Sequence, residues 1–219
     1  MSDFEFFPSM SERSLILGQT GSGKTQFSVW LIKKLNRKTV IYDTKIDSTF
    51  DNFYICDNIN KLKYVLEHKS IVVYRPSIEE LTDNDKMDSI LTNHYNNLNG
   101  IQCYIDEIYQ FHDNGRAGNG LVGLLTRGRS KNISVIMSTQ RPSWLSRFCL
   151  TESQLFYIFN LTDRKDYVRL SDIIPNFKKL SEKQKYSFEF YRHGMESPVI
   201  FNPIPYKKSG IKESNKIWL

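Results

Sequence analysis

Residues 18–25 read Gly-Gln-Thr-Gly-Ser-Gly-Lys-Thr, a complete G-x-x-x-x-G-K-[ST] pattern whose chemistry is phosphate binding. Gly18, Gly21 and Gly23 let the backbone turn its N–H groups inward around a phosphate chain, with Gln19, Thr20 and Ser22 completing the loop. The helix that follows begins where negative charge is favoured. Lys24 is placed to reach the β- and γ-phosphates of ATP, and Thr25 to set its hydroxyl on Mg²⁺, a hard ion that prefers phosphate, hydroxyl and water oxygens. A second metal group is needed at the end of a neighbouring strand, and "CYIDE" at 103–107 supplies it. Asp106 can hold Mg²⁺ through water, while Glu107 can orient and deprotonate an attacking water. For an isolated Asp-Glu pair, capping the next helix would be the favoured reading. After a phosphate loop and a buried strand it reads as chemistry, and it speaks for hydrolysis rather than transfer to an acceptor.

Those residues need a scaffold of strand, loop and helix. "RSLILG" (13–18) is a short apolar run ending in glycine, and "KTQFSVWLIKKL" (24–35) follows with Phe27, Trp30, Leu31 and Leu35 at helical spacing. Further apolar runs lie at 38–43, 70–75, 101–106, 132–139 and 154–159, separated by polar stretches of helical period such as 81–98. This alternation predicts an α/β fold, a mostly parallel sheet with helices on both faces. Near the end, "KYSFEFYR" (185–192) and "SPVIFNP" (197–203) predict an antiparallel strand pair joined through His193 and Gly194. One domain is expected over 1–206, with a polar, basic and mobile tail over 207–219.

The bulk properties narrow the class. The chain has 219 residues, 40% of them hydrophobic, enough for one substantial core. Three widely spaced cysteines, with no CxxC pair, suggest neither a disulfide framework nor a zinc site. With no leader pattern at Met1 and no apolar run long enough to cross a bilayer, a soluble protein is expected. The net charge is +6, of which residues 175–219 carry +5 through nine Lys/Arg against four Asp/Glu. Such asymmetry fits either a polyanion partner or a solvated lysine surface. The aromatic N-terminal stretch with Phe4, Phe6 and Phe7 is expected to tuck into the core rather than cover an adenine, and Trp30 and Trp144 read as packing residues.

The most specific stretch is "LLTRGRSKNISVIMSTQRPSW" at 124–144. A basic helix end, a short strand and then "TQRP" resemble the FtsK/HerA family of P-loop DNA-pumping ATPases, with matching motifs over about residues 14–160. The small single-domain length is most similar to the genome-packaging ATPases of membrane-containing icosahedral viruses. The resemblance implies a RecA/ASCE-like P-loop NTPase and a homo-oligomeric ring, pentamer or hexamer, acting on double-stranded DNA. It further implies that Gln140, ending a strand beside that of Asp106, senses the γ-phosphate. An arginine donated from a neighbouring subunit is also implied, with Arg127 and Arg129 the best donors, Arg141 next, and Arg147 or Arg75 in reserve. In "YDTKID" (42–47) Asp43 would hold the water, tie Lys24 or cap a turn; the proline common there in the family is absent. The loop 112–120, with Arg116 at its middle, would be either a phosphate-tracking pore loop or a helix connection with Asn119 as N-cap.

The function this implies is ATP-driven packaging of a viral genome into a preformed capsid, in the host cytoplasm or virion, with capsid-vertex or membrane proteins as further partners. The alternatives are a HerA-like helicase or plasmid-transfer pump, a nucleotide-gated structural protein at a capsid vertex and, more remotely, a small-molecule kinase.

Overall fold

The apolar runs become strands of one nine-stranded sheet in a computed structural model that describes residues 6–113, 115–178 and 184–204. In chain order the first half runs β1 (Arg13–Leu17), α1 (Lys24–Leu35), β2 (Thr39–Tyr42), β3 (Tyr54–Cys56), α2 (Leu62–His68), β4 (Ile71–Tyr74), α3 (Ile78–Leu81), α4 (Asn84–Asn97) and β5 (Gln102–Ile105). The second half runs β6 (His112–Asp113), β7 (Arg116–Ala117), α5 (Asn119–Arg127), β8 (Val135–Thr139), α6 (Arg147–Thr151), β9 (Leu155–Ile158), α7 (Arg164–Ser171), β10 (Phe188–Arg192) and β11 (Val199–Phe201). The sheet order is β11-β10-β9-β1-β8-β5-β2-β4-β3. From β9 across to β3 all pairings are parallel, whereas β10 runs antiparallel to both β9 and β11. Every residue of β1, β2, β5, β8 and β9 is buried, as expected of parallel strands covered on both faces. Their carboxyl ends, with β1 between β8 and β9, form the edge where a doubly wound sheet binds its ligands.

Each of the six anticipated parallel strands and the C-terminal antiparallel pair is present. Edge strand β3 had no sequence signal, because it is three residues long and exposes Tyr54 and Ile55. The helical stretch at 81–98 is interrupted. Ser77 and Glu80 form a capping box that starts α3, and Asp83 then caps α4 by accepting from the amides of Asp85 and Lys86 at 3.0 and 3.1 Å.

The glycine-and-asparagine loop after β5 folds into the small β6–β7 hairpin, and α5 begins at Asn119 itself. Asn119 is therefore not the N-cap; Gly118 is. The cap is supplied from another helix, since the Asp88 carboxylate of α4 accepts from the Gly120 amide at 2.7 Å. That carboxylate also stands 2.3 Å from where a Gly118 Cβ would be, which is why a side chain is missing there.

An aromatic cluster fills the core between α1 and the C-terminal strands. Phe27 stacks obliquely with Phe188 at 4.8 Å and Tyr157 at 4.9 Å, and Phe188 lies parallel to Phe201 at 5.5 Å. Phe6 enters this cluster beside Phe190 at 5.0 Å, whereas Phe7, expected in the core, is 43% exposed and only leans on Trp30. Phe4 and the expected 207–219 tail lie outside the described residues. Trp144, anticipated as a packing residue, is instead 55% exposed, with its ring against Tyr109 and the Arg141 guanidinium. Among the described residues no helix is long and apolar enough to cross a membrane.

Phe190 is 2% exposed and touches Phe6, Tyr157 and Phe201. Phe190→Ala should cost about 3–5 kcal/mol through lost burial and an unfilled cavity. Ile78→Ala, at a side chain 79% exposed, should stay within about 0.5 kcal/mol. Urea unfolding of both variants checks the contrast.

Candidate active site

The phosphate loop leaves β1 at Leu17 and is anchored on both sides. The Gly18 amide donates to the Thr139 carbonyl of β8 at 3.3 Å, and the Gln19 amide to the Asn160 carbonyl just past β9 at 2.9 Å. Its glycines are required by geometry, Gly21 by its φ of 76° among them. A Cβ on Gly18 would stand 2.6 Å from the Phe159 Cβ and 2.8 Å from the Ser22 hydroxyl; Gly23 has φ 102°, a left-handed conformation that a side chain would strain. Gly23 thereby turns the chain into α1, whose first turn has no acidic residue. The amino end of that helix faces the cradle.

Lys24 is buried in the loop, with its ammonium 3.4 Å from the Gln19 carbonyl. Burial pulls its pKa down to about 8, against the pull of Glu107 in the other direction. The Ser22 hydroxyl is buried without a hydrogen-bond partner. A cradle of unhindered backbone with a desolvated ammonium at its base suits a polyanion. Thr25 follows on the first turn of α1.

Beyond β8, the end of β5 brings in the carboxylates. Asp106 is 4% exposed and accepts from the Ser138 hydroxyl at 2.7 Å and the Tyr104 hydroxyl at 3.2 Å. Burial raises its pKa, and the Ser138 hydrogen bond opposes the shift. Glu107 is fully buried in a left-handed backbone conformation, φ 52°. Its carboxylate is held by the Lys45 ammonium, by the Gln140 side-chain amide at 2.9 Å and, more loosely, by the Gln140 backbone amide at 3.4 Å. Gln140 in turn accepts from the Thr20 hydroxyl at 2.5 Å. An unbroken polar chain thus runs from Lys45 through Glu107 and Gln140 to the phosphate loop.

Among the described residues no group of three His, Cys, Asp or Glu side chains could hold a metal. A metal beside Asp106 and Thr25 would therefore draw most of its oxygens from phosphate and water, which suits Mg²⁺.

The other candidates separate. Asp43 closes the turn after β2, accepting from the amides of Lys45 at 3.2 Å and Asp47 at 3.0 Å, and pairs with Arg75 at 2.9 Å. It makes the turn that aims Lys45, and Arg75, also bound to Asp51, braces it. Lys45, the neighbour of the acidic residue weighed from sequence, is the one that meets Glu107; its partner 62 positions away left no local signal. Arg141 follows Gln140 and is engaged by Asp163 and Asp166. Arg127 and Arg129 are exposed at the end of α5 and just before β8, so they stand at the opposite edge of the sheet from this chain's own loop. Arg147 is exposed at the start of α6.

No family model matches the chain. Its sequence is, however, 30% identical over 210 residues to the DNA packaging ATPase P9 of Enterobacteria phage PRD1, covering 90% of this chain and 89% of that protein. This chain belongs to the viral DNA-packaging ATPases. The fold agrees. The genome packaging NTPase B204 of Sulfolobus turreted icosahedral virus 2, solved with ATP-gammaS, superposes with a TM-score of 0.73 at 18% identity, over 90% of this chain and 99% of that one. The DNA-packaging ATPase B204 of Sulfolobus turreted icosahedral virus gives 0.71 at 20% identity, over 89% and 98%. In this packaging ATPase the loop, both carboxylates and Gln140 converge on one edge, as their spacing on separate strands required.

Removing Lys45 would leave Glu107 buried beside an amide alone. Lys45→Met should destabilise the packaging ATPase by about 2 kcal/mol, less than a fully buried pair because Lys45 keeps contact with solvent. Adding Glu107→Gln should restore most of the loss, so a double-mutant cycle of denaturation free energies should show a coupling of at least about 1 kcal/mol.

Proposed function

We propose that this packaging ATPase is a ring-forming, Mg²⁺-dependent motor that hydrolyses ATP to drive double-stranded DNA into a preformed capsid, working in the host cytoplasm or at a virion vertex. The observation that carries the reading is the polar chain from the phosphate loop to Glu107. It ties occupancy of the loop to the state of the one buried carboxylate placed to activate water.

The residues take the following parts. The loop amides of 18–25 and the Lys24 ammonium bind the phosphates, and the Thr25 hydroxyl and Asp106 carboxylate hold Mg²⁺. When bound, that ion would offset the negative charge of the phosphates. Thr20 turns toward phosphate and gives up Gln140, which is then free to register the γ-phosphate. Glu107, released by Gln140 and Lys45, orients a water and accepts its proton as the oxygen attacks the γ-phosphorus, whose bond to the β–γ bridging oxygen breaks so that ADP leaves with the electron pair. Arg127 or Arg129, placed far from their own loop, supply positive charge to the site of the next subunit, a contribution on the order of 10³ to 10⁵ in rate. Arg141 is a weaker donor because Asp163 and Asp166 already engage it. Arg116, exposed on β7, would track DNA phosphates without reading bases.

Three outcomes test this. Glu107→Gln should bind ATP and lose at least about a hundredfold in turnover, whereas Lys24→Ala should lose binding; nucleotide binding and steady-state phosphate release, measured together, distinguish them. Wild-type turnover should rise on adding duplex DNA and fall when the protein is diluted to monomers, and a monomer that hydrolyses at full rate without DNA would sink the motor reading.

The third outcome concerns pH. With the Lys24 pKa lowered to about 8, bound phosphate should raise it again. ATP binding above pH 8 must then take up a proton, and affinity should fall by up to roughly tenfold per pH unit. Calorimetry in buffers of differing ionisation enthalpy measures that proton.

A further inference from the structure

Phosphate contacts and the carboxylates account for only one end of a nucleotide. Asp106, Glu107 and Gln140 follow β5 and β8, which lie on one side of β1, so the terminal phosphate points that way. The sugar and base must then leave over the other side, where β9 and β10 stand.

Tyr186 is there, two residues before β10. A Cβ on Gly23 would meet the Tyr186 ring at 3.2 Å and its Cβ at 3.7 Å, with Phe159 behind at 3.6 Å. Tyr186 is nevertheless 47% exposed, so an aromatic surface borders the phosphate cradle and still faces solvent.

Its backbone points to the same site. Six non-glycine residues among those described have positive φ. Three are asparagines, which tolerate it; the others are Ile46, Glu107 and Tyr186. Ile46 follows the lysine that holds Glu107, so all three costly conformations ring one edge of the sheet, as backbone strain at functional sites tends to do. Tyr186, at φ 68°, is held by a turn in which the Ser187 amide and hydroxyl donate to the Gln184 carbonyl at 3.0 and 2.6 Å. Any residue at this turn position must adopt that φ, which glycine or asparagine would do at less cost, so the choice of tyrosine asks for another reason.

We propose that Tyr186 is the platform on which the nucleobase stacks, making the β9–β10 side of the loop a base subsite for nucleoside triphosphates. The proposal rests on the reading of residues 18–25 as a nucleotide site. In the structure the Lys185 ammonium lies 5.0 Å from the ring centroid. An exposed ammonium over a ring is held more weakly than a stacked base, so an arriving base displaces it and leaves it near the phosphate chain. Stacking is tolerant of base identity, so adenine and guanine should be held alike.

The test compares full-length wild type, Tyr186→Ala, Tyr186→Gly and Tyr186→Phe, titrated calorimetrically with ATP, GTP and inorganic tripolyphosphate in the presence of Mg²⁺. The glycine variant accepts the positive φ and guards against a folding artefact. Loss of the ring should weaken ATP and GTP together by roughly five- to a hundredfold, leave tripolyphosphate unchanged and be rescued in Tyr186→Phe. Unchanged ATP affinity would overturn the platform while leaving the phosphate site intact, and so would an equal loss for tripolyphosphate, which would assign Tyr186 to shaping Gly23. If wild type binds none of the three, the nucleotide reading and the proposal fall together.

Discussion

The rest of the site depends on a carboxylate buried beneath the surface. Glu107 is fully buried, and a buried anion persists only where partners replace its hydration. Lys45 and Gln140 do so here. The consequence reaches into the fold: Lys45 must be aimed by a turn, the turn is closed by Asp43, and Asp43 is braced by Arg75. Strand ends β2, β4 and β5 are thus joined at their carboxyl edge by charge, while their bodies are joined by backbone ladders.

That arrangement explains why both sides of β1 matter. On the β8 side the loop is tied to polar machinery through Thr20 and Gln140. On the β9 side it rests on apolar rings, with Phe159 filling the space beside Gly18. Polar bonds can be exchanged for phosphate contacts at little net cost, whereas close-packed rings cannot yield without opening a void. The loop therefore has one adaptable flank and one fixed flank.

Much of this was legible in the sequence because it is local. Gly18 to Thr25 is a contiguous pattern, the parallel strands announce themselves as unbroken apolar runs, and Asp106-Glu107 ends one of them. Gln140 was reached through the family resemblance, and the structure sets its strand beside that of Asp106. What escaped is pairing across long sequence separation. Nothing near Lys45 signals Glu107, nothing near Gly118 signals that Asp88 caps α5 from another helix, and Tyr186 lies in a stretch whose neighbours read as strand. Trp144 misled for a simpler reason: tryptophan usually buries its ring, and this one lies over Arg141 at the surface. The β3 strand is too short and too exposed to leave an apolar period.

The aromatic seam has a mechanical meaning. Phe159 touches the first glycine of the loop and lies 5.1 Å from Phe188 of β10, which is stacked in turn on Phe201 of β11. The outermost hairpin of the sheet is therefore in continuous ring contact with the residue beside the cradle. Displacing that rim would have to move Phe159 as well, because close-packed rings cannot shift singly without opening a void.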